Sequence, residues 1–150
     1  MKFEKLKSGN VSDVERQIRE EWGGCETILK KTIDNRSDKN MFVFYDGPIY
    51  ANAKPGLHHV FAKTIKDAVC KYKTMQGYKV LRKIGLDTHG LPIEVNVEKK
   101  LGFKNKSDIE KFGIENFCKE CNKETDSNID EVKKVTEMMG QFIDCTNPYI

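Results

Sequence analysis

All three histidines of the chain fall in one window, as His58, His59 and His89. His58 and His59 follow Gly56-Leu57 and lead into an apolar-periodic stretch, so they stand where a loop hands over to a helix. A helix start presents unpaired N–H groups and about half a positive charge. Imidazoles at that point can donate hydrogen bonds to phosphate oxygens, and a glycine just before them lets a flat group approach the backbone. Asp87 and His89 close a second apolar run and would face the same crevice. In open α/β sheets that crevice, at the carboxyl ends of parallel strands, is where ligands bind. The spacing alone also allows a plainer reading, in which His58 and His59 are solvated residues of a helix start.

The elements that must position these residues can be read on either side. Met41-Phe42-Val43-Phe44-Tyr45 is a continuous apolar run between a polar loop (34–40) and Gly47-Pro48, the pattern of a buried strand in a parallel sheet. The loop from Gly47 to Gly56 holds two of the four prolines. A helix follows from about His58 to Met75, with Val60, Ile65, Ala68, Val69, Tyr72 and Met75 on one face and Gly77 placed to cap its end. Tyr78 to Ile84 reads as a second strand, ending at Gly85-Leu86-Asp87. Strand, loop, helix, strand is a βαβ unit. Before it, Val11 to Trp22 reads as a helix with Ser12 as N-cap and Glu15 completing a capping box, and Glu26 to Ile33 as a second. After it the chain turns helical: Pro92 to about Lys100, then a short helix capped by Ser107 with Glu110, then Ile114 to Ile143 interrupted around Thr125–Asn128. Two strands cannot complete a sheet, so the unit should be part of something larger, with exposed edges that favour self-association.

Composition bounds the rest. A length of 150 residues suits one domain, with 38% hydrophobic and 33% charged residues. A formal net charge of +3 in mixed signs is no nucleic-acid footprint. No apolar stretch nears the ~20 residues that span a bilayer, and the Met1–Lys5 start lacks the apolar core of a secretion signal. Five cysteines at irregular spacing read as a reduced, cytoplasmic protein. Cys118-Lys119-Glu120-Cys121 has the spacing of half a zinc site, but no second pair follows, so no zinc is expected. Lys71, Lys73, Lys79, Arg82 and Lys83 could touch RNA, though a solvated surface is the plainer reading.

The motifs carry a specific resemblance. Phe44-Tyr45-Asp46-Gly47-Pro48, Ala51-Asn52, Pro55-Gly56-Leu57-His58-His59-Val60 and Thr64-Ile65-Lys66-Asp67 resemble the first signature of class I aminoacyl-tRNA synthetases. Tyr72-Lys73-Thr74-Met75-Gln76-Gly77-Tyr78, Gly85-Leu86-Asp87-Thr88-His89-Gly90-Leu91-Pro92-Ile93-Glu94 and the closing Asn147-Pro148-Tyr149 are similar to the isoleucyl group. The resemblance implies a partial Rossmann-like α/β fold, with residues 1–40 as a helical extension and 41–150 as the first half of a catalytic domain. It implies ATP-dependent activation of isoleucine, with Mg2+ accompanying ATP, and transfer to tRNA(Ile). By position it implies catalytic His58 and His59; ATP contacts from Asn52, Gly56, Leu57, His58 and His59; and amino-acid contacts from Gly47, Pro48 and Asp87, with Asp87 facing the substrate ammonium.

The chain also departs from the family pattern. The usual His-x-Gly-His order is here Gly56-Leu57-His58-His59, a variant within the isoleucyl group. Ile49 replaces a second Pro, Ala53 a Gly and Leu86 a Trp, and Asn122, Asp126 and Asn128 stand where aromatic residues are usual. The second signature, Lys-Met-Ser-Lys-Ser, is absent, and Lys104-Asn105-Lys106-Ser107 does not match it. The editing and anticodon-binding parts would lie beyond Ile150, so the chain alone is expected to be incomplete as an enzyme. The alternatives are a free-standing nucleotide-binding or interaction module derived from a synthetase, and a small nucleotidyltransferase. The helical composition after Phe103 disfavours the latter.

Overall fold

The computed structural model describes residues 9–150. The Met1–Lys5 start and the rest of the first eight residues of the 1–40 extension lie outside the described residues. Six helices and three short strands follow one another: α1 (Val11–Trp22), α2 (Cys25–Asp34), β1 (Ile49–Tyr50), α3 (Leu57–Met75), β2 (Lys83–Asp87), α4 (Leu91–Leu101), α5 (Lys106–Phe112), α6 (Ile114–Met138) and β3 (Asp144–Tyr149). The strands form one sheet in the order β1-β2-β3. Both pairings are parallel, Ile49↔Leu86 and Tyr50↔Asp87 on one side, Lys83↔Asp144 and Gly85↔Tyr149 on the other. The α/β class and the βαβ unit read from the sequence are present.

The first strand is shorter and later than the apolar run suggests. Met41 makes a single parallel bridge to Lys79, and Phe42 N–H donates to the Lys79 carbonyl at 2.9 Å. The ladder then stops, leaving Val43 68% and Tyr45 83% exposed. Asp46 is drawn instead to lysines of α3, which turns the chain out of the ladder until Ile49. Tyr78–Arg82 is likewise outside the β2 ladder, which starts at Lys83.

A third strand, β3, has no counterpart in the hydropathy pattern. Asn147 and Pro148 punctuate it, and proline is tolerated there because β3 lies at the sheet edge. Its pairing with β2 carries a register shift between Lys83 and Gly85, where the Tyr149 ring lies flush on Gly85: a Cβ there would come within 2.3 Å of it.

Two caps also differ. Asn10, not Ser12, caps α1, its side-chain oxygen accepting from the Ser12 amide at 3.2 Å. Asn105, not Ser107, caps α5, because the Asp108 carboxylate reaches back to two amides, those of Lys104 at 2.9 Å and Asn105 at 3.3 Å.

The expected break at Thr125–Asn128 does not occur, and α6 runs unbroken. Its polar residues are satisfied in place: Thr125 and Thr136 hydroxyls donate to carbonyls four residues earlier, Cys121 at 3.0 Å and Val132 at 2.7 Å. The core beneath the sheet joins Ile49, Ile84, Leu86 and Ile143 to Val132 of α6. A second cluster joins Cys25 and Leu29 of α2 to Phe142, with Trp22 meeting that ring edge-on at 5.0 Å.

On α3 the buried side chains are Lys63, Cys70 and Thr74. Leu57, Phe61, Ile65, Val69, Tyr72 and Met75 are 47% to 87% exposed. The apolar stripe of this helix therefore faces away from the sheet.

Candidate active site

The loop between β1 and α3 is fixed by its own backbone. Ala51 N–H donates to the Asp87 carbonyl at 2.8 Å, which ties the start of the loop to the end of the central strand. Two amide side chains from different helices grip the next carbonyls. Asn128 of α6 donates to Ala51 O at 3.1 Å, and Asn96 of α4 donates to Asn52 O at 2.9 Å. Asn52 and Asp87 are thus held at the same end of the sheet, the end where α3 begins.

The start of α3 is built by Gly56, whose extended backbone (φ −89°, ψ 171°) precedes the first turn. His59 N–H donates to Gly56 O, and Gly56 N–H donates to His59 Nδ1, both at 3.0 Å. The His58 and His59 rings lie 3.8 Å apart, tilted by 43°. The exchanged signature has a steric correlate here. The His58 ring folds back over Gly56, so a Cβ at position 56 would meet it at 3.0 Å. His58 is exposed and His59 half-buried. Burial, the His58 ring and the Lys63 ammonium push the His59 imidazole below its ordinary value.

Behind this helix start lies an ion cluster. Asp46 is almost fully buried, and its carboxylate takes Lys66 Nζ at 2.7 Å and faces Lys63 Nζ at 3.6 Å. Lys66 also reaches the Gly47 carbonyl at 3.5 Å, so the segment carrying Gly47 and Pro48 is anchored to α3. Burial lowers the proton affinity of Lys63, and the Asp46 carboxylate opposes that shift. Nearby Cys145 has its thiol pushed up to about 11, chiefly by burial.

At the end of β2, Asp87 is exposed and Thr88 Oγ1 lies 3.4 Å from His89 Nδ1. A cavity of about 220 Å³ opens beside them, lined by Gly90, Ile93, Phe117 and Cys121 among others. Among the described residues, no three His, Cys, Asp or Glu side chains converge to hold a metal ion.

The residues predicted from sequence, Gly47, Pro48, Asn52, Gly56, Leu57, His58, His59 and Asp87, therefore sit on β1's flanking loops, the first turn of α3 and the end of β2. Sequence reasoning missed Asp46, Lys63, Lys66, Asn96 and Asn128. Lys63 had a legible signal, since it lies one helical turn after His59. Asn128 did too, sharing a helical face with Val132 and Thr125.

The fold and this loop-to-helix arrangement define a class, and comparison with known proteins agrees. Residues 17–150 match the family described as tRNA synthetases class I (I, L, M and V), and the chain belongs to that family. It is similar to the isoleucine–tRNA ligases of Clostridium novyi, 43% identical over 143 residues, and Clostridium acetobutylicum, 44% identical over 143 residues. Each alignment covers 95% of this chain and 14% of the relative. Isoleucine–tRNA ligase 2 of Bacillus cereus is 46% identical over 136 residues, 91% of this chain and 13% of that protein. The isoleucyl resemblance of the motifs is borne out, and the chain spans about one-seventh of the length of these relatives.

Proposed function

We propose that this chain supplies the first part of the catalytic domain of an isoleucine–tRNA ligase. In the reaction that this reading assigns to the full-length enzyme, the isoleucine carboxylate attacks the α-phosphorus of ATP. Pyrophosphate leaves, and a terminal hydroxyl of tRNA(Ile) then takes the isoleucyl group from the adenylate, releasing AMP. No protein nucleophile is needed, so the residues act by positioning and by neutralising charge. The observation that carries the reading is the backbone tie between Ala51 and Asp87, which sets the α3 start and the β2 end at one crevice.

In this scheme the first-turn amides of α3, with Gly56 and Leu57, meet the phosphates. His58 and His59 add side-chain donors, and Asn52 lies on the nucleotide side. Asp87 pairs with the isoleucine ammonium beside Gly47 and Pro48. Mg2+ enters with ATP. Residues 41–150 form the first half of the catalytic domain behind the 1–40 extension, and α2 of that extension packs onto Phe142. No helix among the described residues is long and apolar enough to cross a membrane, and all five cysteines are unpaired. The cytoplasmic setting belongs to the synthetase reading itself.

The test is a thermal melt with a non-hydrolysable isoleucyl-adenylate analogue, with leucyl and valyl analogues as controls. A ligand that binds only the native state must raise the Tm. A rise with the isoleucyl analogue alone is the expected result. Equal rises with all three would favour the alternative of a nucleotide-binding module, and no rise at all would deny this segment a site of its own.

A further inference from the structure

We infer that His59 works as a neutral imidazole locked with its proton on Nε2, while the buried ammonium of Lys63, one turn behind it, carries the positive charge that holds an anion at the start of α3. The inference about the ring stands on geometry alone. Its second half rests on the phosphate reading above.

Gly56 has no side chain with which to cap α3, so the residue three positions on must reach back. It does so with Nδ1, which lies 3.0 Å from the Gly56 nitrogen. A backbone N–H can only donate, so Nδ1 must accept. In a neutral ring the proton then sits on Nε2. Protonating Nδ1 would set one N–H against another at the positive end of the helix.

Lys63 is the second observation. Its side chain is only 6% exposed, and its Nζ has no hydrogen-bond partner. The titratable groups that face His59 are His58 and Lys63 on its own helix, and Lys63 in turn faces Asp46 of the preceding segment. Asp46 is already spent, with Oδ1 on Lys66 and Oδ2 facing Lys63, so one carboxylate serves two ammonium groups and a net positive charge remains. Burial lowers the proton affinity of Lys63, and the Asp46 carboxylate facing its Nζ at 3.6 Å favours the charged form against it. The direction of the His59 shift agrees with this arrangement. Folding lowers its proton affinity, so the unfolded chain takes up the proton more readily. The contribution of the helix start to stability is thus present at neutral pH and declines as the pH falls below about 6.5.

The experiment is long-range 1H–15N spectroscopy of the imidazoles in the unliganded, labelled chain from pH 5 to 8. The expected result is an unprotonated His59 Nδ1, a protonated Nε2 and titration below the usual value. A proton on Nδ1, or a cation at pH 7, would overturn the inference. Two variants separate the ring's ends. In His59→Asn the amide oxygen replaces Nδ1, so protection of the Gly56 amide from exchange persists while pyrophosphate binding is lost. In His59→Leu the Gly56 amide loses its acceptor and exchanges faster; unchanged protection there, or lost protection in His59→Asn, would overturn the assignment. Lys63→Met should raise the His59 pKa and weaken pyrophosphate binding about tenfold or more, and an unchanged affinity would refute the role of Lys63. If pyrophosphate leaves every spectrum of the unmodified chain unchanged, the phosphate reading falls, and the tautomer still decides the ring.

Discussion

Helices α3 and α6 both pack against the sheet, and they are held by opposite means. α6 turns Val132 and Phe117 inward, and its buried threonines satisfy themselves on their own backbone. Apart from the Asn128 amide on the Ala51 carbonyl, it is placed by volume, which many similar side chains could fill. α3 turns its apolar stripe outward and buries Lys63, Cys70 and Thr74 instead. It is placed by charge. Asp67 on α3 faces Arg82 at 3.7 Å, binds Lys71 and accepts from the Phe142 amide at 3.1 Å. Arg82 in turn donates to the Cys70 carbonyl at 2.9 Å, to Thr74 Oγ1 and to the Phe142 carbonyl at 3.2 Å. Such bonds are directional, so they fix the rotation and height of a helix more sharply than hydrophobic contact does. The helix that carries the paired histidines is the one held in this way.

The contrast breaks most readily at Arg82. Arg82→Met should remove about 3 kcal/mol or more from stability, because it strands buried carbonyls and leaves Asp67 only Lys71 as its ionic partner. A urea midpoint shift worth less than about 1 kcal/mol would mean that charge does not place α3. On the other helix, Val132→Ala should cost about 2 kcal/mol through the cavity it leaves. The same variant should leave the Gly56 amide as protected from exchange as before. Asn128→Ala should cost about 1–2 kcal/mol, since it leaves the Ala51 carbonyl without its side-chain donor. Hydrogen exchange should then rise in the Ala51–Gly56 loop before it rises elsewhere. The smallest effect is expected on the outward stripe. Phe61→Gln with Ile65→Gln should change monomer stability by no more than about 0.5 kcal/mol. Sedimentation should show that the pair reduces self-association, as an exposed apolar patch requires. A large loss of stability there would show that the stripe is already covered.

The parts of the molecule legible in the sequence were those with a local cause. Helix α3 and its cap region were readable because Gly56, the histidines and an apolar period adjoin one another. The end of β2 was readable from Gly85-Leu86-Asp87. What escaped had a distant cause. The 41–45 run has strand residues, but pairing there is cut short by Asp46, whose partners lie some twenty residues on. β3 was hidden because Asn147 and Pro148 resemble a turn, and only the neighbouring strand reveals them as an edge. Thr125 and Asn128 suggested a break in α6 because their acceptors, Cys121 O and Ala51 O, cannot be seen in a hydropathy pattern. The apolar period of α3 was real, but periodicity does not say which way a stripe faces.

Gly85 and Tyr149 add a consequence for synthesis. The central strand meets β3 only across a separation of about sixty residues, and the phenol ring must arrive before the bare backbone at Gly85 is covered. At about 5–20 residues per second, translation leaves that gap open for several seconds. During that interval β2 has β1 beside it and nothing on its other edge, so the emerging chain presents a strand edge to its neighbours on the polysome. Larger residues at Gly85 would lengthen this exposure by obstructing the ring that ends it. Slowed translation between α4 and β3 would act in the same direction without changing a single contact in the finished fold.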